Sequence, residues 1–120
     1  MGVGIAAQAF MQHGINTSII EIDPAVYNAA RENFGLPEPA AVYLEDARGW
    51  ISRKAHLSAD NNTDNFDIIV HDCFSGGGVP AQLYTLEFWE DLKKSLSGDG
   101  IVAVVGLMSH LFEISFVQMS

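Results

Sequence analysis

Short β-rich segments alternate with helical patterns along the chain, and this alternation limits the fold more than any other feature of the sequence. Extended segments are predicted at residues 17–20, 41–44, 66–70 and 101–105, and apolar residues at helical spacing lie between them. Such a rhythm is typical of parallel strands joined by right-handed crossovers. The sequence therefore predicts an α/β fold: a Rossmann-like parallel sheet with helices on both faces, in one domain.

Local signals mark where single elements begin and end. Asp23 is predicted to cap a helix that begins at Pro24 and ends at Gly35. Asp46 can cap the helix after the extended segment 41–44. The run at 66–70, apolar apart from Asp67, indicates a strand that is covered on both faces.

The glycine turn Gly2-Val3-Gly4 opens the chain with no strand in front of it. In this architecture the strand that feeds such a turn is central in the sheet. Without it, two neighbouring strands would have unpaired edges. We therefore expect the first strand to be missing or truncated, and the chain to be an unstable fragment.

Residues 101–119 are largely apolar, and the length of this stretch approaches that of a membrane span. His110 and Glu113 interrupt it, and a charge inside a membrane is costly. We interpret 101–105 as a strand and 106–120 as an atypical apolar C-terminal tail, and we expect no membrane contact.

The amino-acid composition limits the kinds of molecule and metal that the chain is expected to bind. The net charge of −9, from 15 acidic and 6 basic residues, argues against nucleic acid and permits a cationic small substrate. An acidic, solubilising surface is the simpler explanation of that charge. The single cysteine, Cys73, excludes an intramolecular disulfide and a cysteine-based zinc site, and the histidines lack metal-ligand spacing. We therefore expect no metal. No secretory signal is visible in the sequence, so we expect a cytoplasmic location.

Five candidate site residues are predicted at one edge of the sheet, because ligands bind beyond the carboxyl ends of parallel strands. Gly2 and Gly4 let the backbone approach a ligand and turn into a helix. Glu21, at the end of the extended segment 17–20, can accept hydrogen bonds from ribose hydroxyls. Asp46 can accept from an adenine amine, cap a helix, or do both. Asp72 follows the apolar strand and could hold or deprotonate a cationic amine.

The glycine pattern also satisfies G-x-G-x-x-A, so a dinucleotide site is an open alternative. A nicotinamide oxidoreductase would use such a site, but it would not explain Asp46 or Asp72.

With these residues in view, the sequence resembles the spermidine/spermine synthase family, which has the class I S-adenosylmethionine-dependent methyltransferase-like fold. The resemblance runs from Gly2 to about Val105 and implies that residues 1–105 form a partial nucleoside-binding transferase domain. The matching segments are Gly2-Val3-Gly4, Glu21-Ile22-Asp23-Pro24, Asp46, Phe66-Asp67-Ile68-Ile69-Val70 leading to Asp72, and Val79-Pro80-Ala81-Gln82-Leu83-Tyr84-Thr85.

The resemblance implies transfer of an aminopropyl group from decarboxylated S-adenosylmethionine to a polyamine, a step of polyamine biosynthesis. Glu21 would hold the ribose, Asp46 the adenine, and Asp72 would orient and deprotonate the attacking amine. No metal is needed. A small amine or polyamine would be the partner, with room for a homo-oligomer in a full-length form.

Two departures from the family keep other functions open. The family's synthases carry a second acid shortly after the position of Asp72, and Cys73-Phe74-Ser75-Gly76 offers none. Residues 106–120 do not resemble the family. Methyl transfer from S-adenosylmethionine to an amine and a non-catalytic fragment are therefore the alternatives, and the sequence does not identify the acceptor.

Overall fold

The structure, a computed structural model, describes residues 4–58, 65–72 and 80–105, and the backbone of residues 113–118. Strands and helices alternate as the sequence predicts, which confirms the α/β fold. The elements are α1 (Ile5–Gln12), β1 (Asn16–Ile20), α2 (Pro24–Asn33), β2 (Ala41–Tyr43), α3 (Ala47–Ser58), β3 (Phe66–Asp72), a 3₁₀ turn (Ala81–Leu83), α4 (Leu86–Lys94), β4 (Leu96–Val104) and β5 (Glu113–Gln118).

In the part of the chain that the structure describes, five strands form one sheet in the order β2-β1-β5-β3-β4. The pairs β1/β2 and β3/β4 are parallel, as expected for strands joined by helical crossovers. Strand β5 is antiparallel to both of its neighbours, β1 and β3. It therefore joins two parallel pairs into a single sheet.

The expectation of two unpaired strand edges in the middle of the sheet is wrong. Strand β5 fills that position, and its backbone pairs with β1 from Asn16 to Ile20 and with β3 from Ile68 to Asp72. Sequence patterns did not indicate this strand, and the proposed domain boundary after residue 105 stays a prediction.

Helices cover both faces of the sheet. On one face, α1 and α2 pack on β1 through a cluster of Ala7, Ile19, Ala30 and Leu36. On the other face, α3 and α4 pack on β1 and β3 through a second cluster. The buried members of this second cluster are Ile20, Ala47, Trp50, Ile51, Phe66, Ile69, Leu83, Phe88 and Leu92. Ile19 and Ile20 enter opposite clusters because successive strand residues point to opposite faces.

The predicted start of α2 is confirmed. The Asp23 side chain accepts a hydrogen bond from the backbone N–H of Ala25 at 2.9 Å, and Pro24 occupies the first turn. Gly35, just beyond the helix, has a φ of 68°, a left-handed conformation that favours glycine.

Strand β4 begins earlier than the sequence predicts. The extended backbone starts at Leu96, not at Ile101, and Leu96 pairs with Phe66. The register then shifts, since Ile68 pairs with Ile101. A Cβ at Gly100 would lie 3.0 Å from the Phe66 carbonyl oxygen, so this irregular stretch requires a residue without a side chain.

The role of β5 can be tested with proline at the middle of the strand. Ser115 pairs with Ile19 on one side and Val70 on the other. Ser115→Pro removes a backbone donor from the centre of the sheet, and we expect it to lower the free energy of unfolding by roughly 3 kcal/mol or more. Ser115→Ala keeps the donor and is the control. Urea unfolding followed by circular dichroism measures both, and equal stability of the two variants would contradict the assigned pairing.

Candidate active site

The carboxyl ends of β1, β2 and β3 lie at one edge of the sheet, which we call the rim. Ile114 of β5 pairs with both Ile20 and His71, so β1 and β3 end at the same level. Ile20 pairs with Tyr43, which places the end of β2 there too. The residues that follow these strand ends are therefore brought together at the rim.

Glu21, Asp46 and Asp72, predicted from three separate segments, all lie at the rim. Glu21 follows β1, and its backbone N–H donates to the Tyr43 carbonyl at 3.0 Å. Asp46 lies between the end of β2 and the start of α3, and Asp72 is the last residue of β3. The predicted juxtaposition is present, while the roles assigned to these carboxylates remain predictions.

Gly4 forms the turn that begins α1. Its φ of 74° and ψ of 29° are left-handed, and its carbonyl accepts from the Gln8 N–H at 2.8 Å. A residue with a Cβ would be strained there by about 1 kcal/mol. Gly2, its predicted partner in ligand binding, lies outside the described residues.

The Glu21 carboxylate is buried and held in place. Glu21 is 7% exposed, and its Oε1 accepts a hydrogen bond from the Asp23 N–H at 3.0 Å. A fixed carboxylate at a strand end can accept hydrogen bonds from a diol, since each of its oxygens has two lone pairs.

Two apolar side chains beside these acids were missed by the sequence analysis. Ile22 is 66% exposed and Leu44 is 44% exposed, and each lies just past the last paired residue of its strand. Ile22 directly follows the strand-terminal acid Glu21, and Leu44 directly follows β2, two residues before Asp46. These exposed apolar side chains therefore belong to the two segments that carry Glu21 and Asp46.

Asp46 has the capping role that the sequence predicts. Its Oδ1 accepts from the backbone N–H of Arg48 at 3.1 Å in the first turn of α3. Arg48 in turn donates to the buried Asp91 of α4 at 2.9 Å. The α3 turn that presents Asp46 is therefore fixed to α4 by a charged hydrogen bond.

Asp72 differs from the other two acids in its electrostatic environment. Burial raises the pKa of its carboxyl above the ordinary value of 3.8, because desolvation disfavours the charged form. A carboxylate with a raised pKa is a better proton acceptor than an ordinary one.

His71 precedes Asp72 and is fully buried on the opposite face of β3. Its Nε2 lies 2.9 Å from the Leu83 carbonyl oxygen, which can only accept, so Nε2 carries the proton. The rings of Tyr84, Phe88 and Trp89 surround it at centroid distances of 4.8, 5.5 and 5.0 Å. Burial lowers the pKa of the imidazole below 6.5, although the hydrogen bond to Leu83 opposes this shift.

Comparison with known proteins identifies the family. Residues 3–119 match the family described as the spermine/spermidine synthase domain. The chain belongs to this family. The matched residues extend past Val105, where the resemblance was expected to end, and they include β5.

Relatives with two different activities share this domain. The chain is 39% identical over 104 residues to the N-terminal histidine N-methyltransferase of Emericella nidulans, covering 87% of this chain and 18% of that protein. It is 33% identical over 118 residues to the polyamine aminopropyltransferase of Erwinia tasmaniensis, covering 84% and 41%. A probable polyamine aminopropyl transferase of Bifidobacterium longum is 26% identical over 106 residues, covering 87% and 22%.

The chain thus spans less than half the length of each of these relatives. No solved structure gives a significant match. Among the described residues, no helix has the length and apolar character needed to cross a membrane, and no group of three metal-binding side chains occurs.

The environment of Asp72 predicts that this residue lowers stability at neutral pH. Because burial raises its pKa in the folded state, ionisation costs the folded state more than the unfolded state, and stability is lost as pH rises through that pKa. Asp72→Asn is therefore expected to raise the melting temperature at pH 7, with a difference that vanishes well below pH 3.8, where the carboxyl is protonated in both states. Asp99→Asn, at an exposed carboxylate, is the control. A variant less stable than the parent at pH 7 would contradict the account.

The burial of His71 leads us to expect a second dependence of stability on pH, opposite in direction to that of Asp72. Its folded-state pKa is below 6.5, so below pH 6.5 the unfolded chain binds the proton more readily and stability falls. Chemical unfolding at a series of pH values should show this loss in the parent and in His56→Gln, whose imidazole is exposed. It should be reduced in His71→Gln, which has no titrating ring, and identical slopes in all three proteins would refute the assignment.

Proposed function

We propose that the chain is the nucleoside-binding part of a transferase that moves an aminopropyl group from decarboxylated S-adenosylmethionine to a polyamine. The observation that carries the proposal is the convergence of Gly4, Glu21, Asp46 and Asp72 at the rim. Membership of the spermine/spermidine synthase family and similarity to two aminopropyltransferases support it.

The nucleoside of the donor would occupy the rim between β1 and β2. Glu21, fixed by the Asp23 N–H, would accept hydrogen bonds from the ribose hydroxyls. Asp46 would accept from the exocyclic amine of adenine while it caps α3, because a carboxylate can accept several hydrogen bonds. Ile22 and Leu44 would contact the faces of the purine, whose apolar surface they would remove from water.

The reaction needs a neutral amine held close to the carbon that is transferred. The amine nitrogen donates its lone pair to the aminopropyl carbon attached to the sulfonium, a C–N bond forms, and the C–S bond breaks with its electron pair passing to sulfur. Asp72 accepts the proton that the new ammonium or the incoming amine gives up. Its carboxylate also attracts a cationic polyamine, and alignment of nitrogen, carbon and sulfur supplies much of the rate. No step requires a metal.

A second candidate function is methyl transfer from S-adenosylmethionine to an amine. Its specific support is the N-terminal histidine N-methyltransferase of Emericella nidulans, which has a higher identity to this chain than the aminopropyltransferases named above. The same rim residues would hold the nucleoside, and the two functions differ in whether the donor retains its carboxylate. The acceptor, the cytoplasmic location and the homo-oligomer expected from the sequence remain predictions.

Isothermal titration with the two donors distinguishes the candidates. Aminopropyl transfer predicts tighter binding of decarboxylated S-adenosylmethionine, because a donor carboxylate would lie near Asp72. Tighter binding of S-adenosylmethionine would contradict aminopropyl transfer and support methyl transfer. If neither donor binds or raises the melting temperature, the chain is a non-catalytic fragment and both proposals fail.

Glu21→Gln tests the ribose contact in the same assay. The amide keeps one acceptor oxygen for the Asp23 N–H but loses the negative charge and one acceptor. We expect the donor's dissociation constant to rise roughly 10- to 100-fold, as for loss of a hydrogen bond to a charged group. Glu38→Gln, at an exposed carboxylate, should leave it unchanged. Equal affinities of the two variants would contradict the assigned role.

A further inference from the structure

Among the described residues, His71 is a fully buried ionisable group that the proposed reaction does not use. It is fully buried among aromatic rings, and its Nδ1 has no hydrogen-bond partner among the described residues. A buried polar atom without a partner is costly, and a phenylalanine would fill an aromatic cluster without that cost. The position of a histidine here therefore calls for a physical reason.

The hydrogen bond from Nε2 to Leu83 gives that reason. Leu83 ends the 3₁₀ turn, where a carbonyl has no further partner within the turn. The Nε2–H donates to this carbonyl at 2.9 Å across 12 residues of chain. It thereby joins the end of β3 to the turn that leads into α4, from which Phe88 and Trp89 contact the same ring.

The opposite side of His71 is fixed by the sheet. Its backbone carbonyl accepts from the Val105 N–H at 3.0 Å, and its backbone pairs with Val104 of β4 and Ile114 of β5. The residue before Asp72 is thus held by the sheet through its backbone and by α4 and the 3₁₀ turn through its side chain. Asp72 is one peptide unit away, so movement of His71 moves Asp72.

We propose that His71 is a positioning residue, whose hydrogen bond to the Leu83 carbonyl fixes the end of β3 and sets the location of the Asp72 carboxylate. The nucleoside contacts at Glu21 and Asp46 come from other strands and do not depend on this hydrogen bond. Loss of the hydrogen bond therefore affects the acceptor's proton transfer and leaves donor binding unchanged. This kinetic consequence rests on the proposed function, while the structural link does not.

Two substitutions separate the hydrogen bond from ring packing. His71→Phe keeps an aromatic ring among Tyr84, Phe88 and Trp89 but loses the donor. His71→Gln loses the ring but places an amide N–H where Nε2 lies, so it can donate to the Leu83 carbonyl. Ser95→Ala removes another fully buried hydrogen bond, from Oγ to the Asp91 carbonyl, at a distance in sequence from the rim, and is the matched control.

In steady-state assays, His71→Phe is expected to lower kcat roughly 10- to 100-fold, as for a small misplacement of a reacting group, with the donor's dissociation constant within two-fold of the parent's. His71→Gln should recover most of kcat, and Ser95→Ala should leave it unchanged. Full activity of His71→Phe, no recovery by His71→Gln, or an equal loss in Ser95→Ala would each overturn the inference.

A second measurement needs no activity and keeps the inference testable if the proposed function fails. Titration of the Asp72 carboxyl by carbon-13 NMR should give a raised pKa in the parent and in His71→Gln, and a value closer to 3.8 in His71→Phe, where the Asp72 carboxyl is no longer held in its partly buried position. An unchanged Asp72 titration in a folded His71→Phe variant would overturn the structural link. If His71→Phe does not fold, an Asp72 pKa near 3.8 in folded His71→Gln would overturn the structural link.

Discussion

Backbone pairing in the middle of the sheet is the constraint on which the rest of the structure depends. Glu21 follows β1 and Asp72 ends β3, and each of these two strands has one side facing the middle of the sheet. Strand β5 pairs with both and brings Ile20 and His71 to one level through Ile114. Because unpaired backbone groups in a covered sheet are costly, this strand holds the two halves of the rim in register. The geometry of the site thus depends on the pairing of β5 with both β1 and β3.

The three acids of the rim have different surroundings, and the difference suits different tasks. Glu21 and Asp46 accept backbone hydrogen bonds, which fix their carboxylates as a neutral sugar and base would require. Asp72 is raised in pKa by burial, which suits a group that takes up a proton. On the other face of β3, His71 connects this strand to the 3₁₀ turn before α4 through the Leu83 carbonyl. In the proposed function, binding and proton transfer would therefore fall to residues at the ends of separate strands, with separate supports.

Sequence patterns predicted those parts that depend on neighbouring residues. The Asp23-Pro24 start of α2 and the apolar run of β3 are local signals, and the rim acids follow from the rule that parallel strands end at one edge. Strand β5 was missed because its pairing with β1 and β3 joins residues far apart in sequence. The early start of β4 at Leu96 depends on pairing with Phe66, and the hydrogen bond of His71 spans 12 residues. Neither has a local signature. Gly2 lies outside the described residues, so its predicted contact stays a prediction.

The central claim is that one edge of this sheet binds an adenosine group. The most direct test is an NMR titration of the chain with 5′-methylthioadenosine, which shares the nucleoside of both donors and lacks the reactive sulfonium. The account predicts that the largest shifts of backbone amides occur at Gly4, Glu21 and Arg48, with saturation at a defined affinity. Shifts concentrated at the opposite edge of the sheet, near Gly14 and Ala40, or no saturable shifts at all, would contradict it.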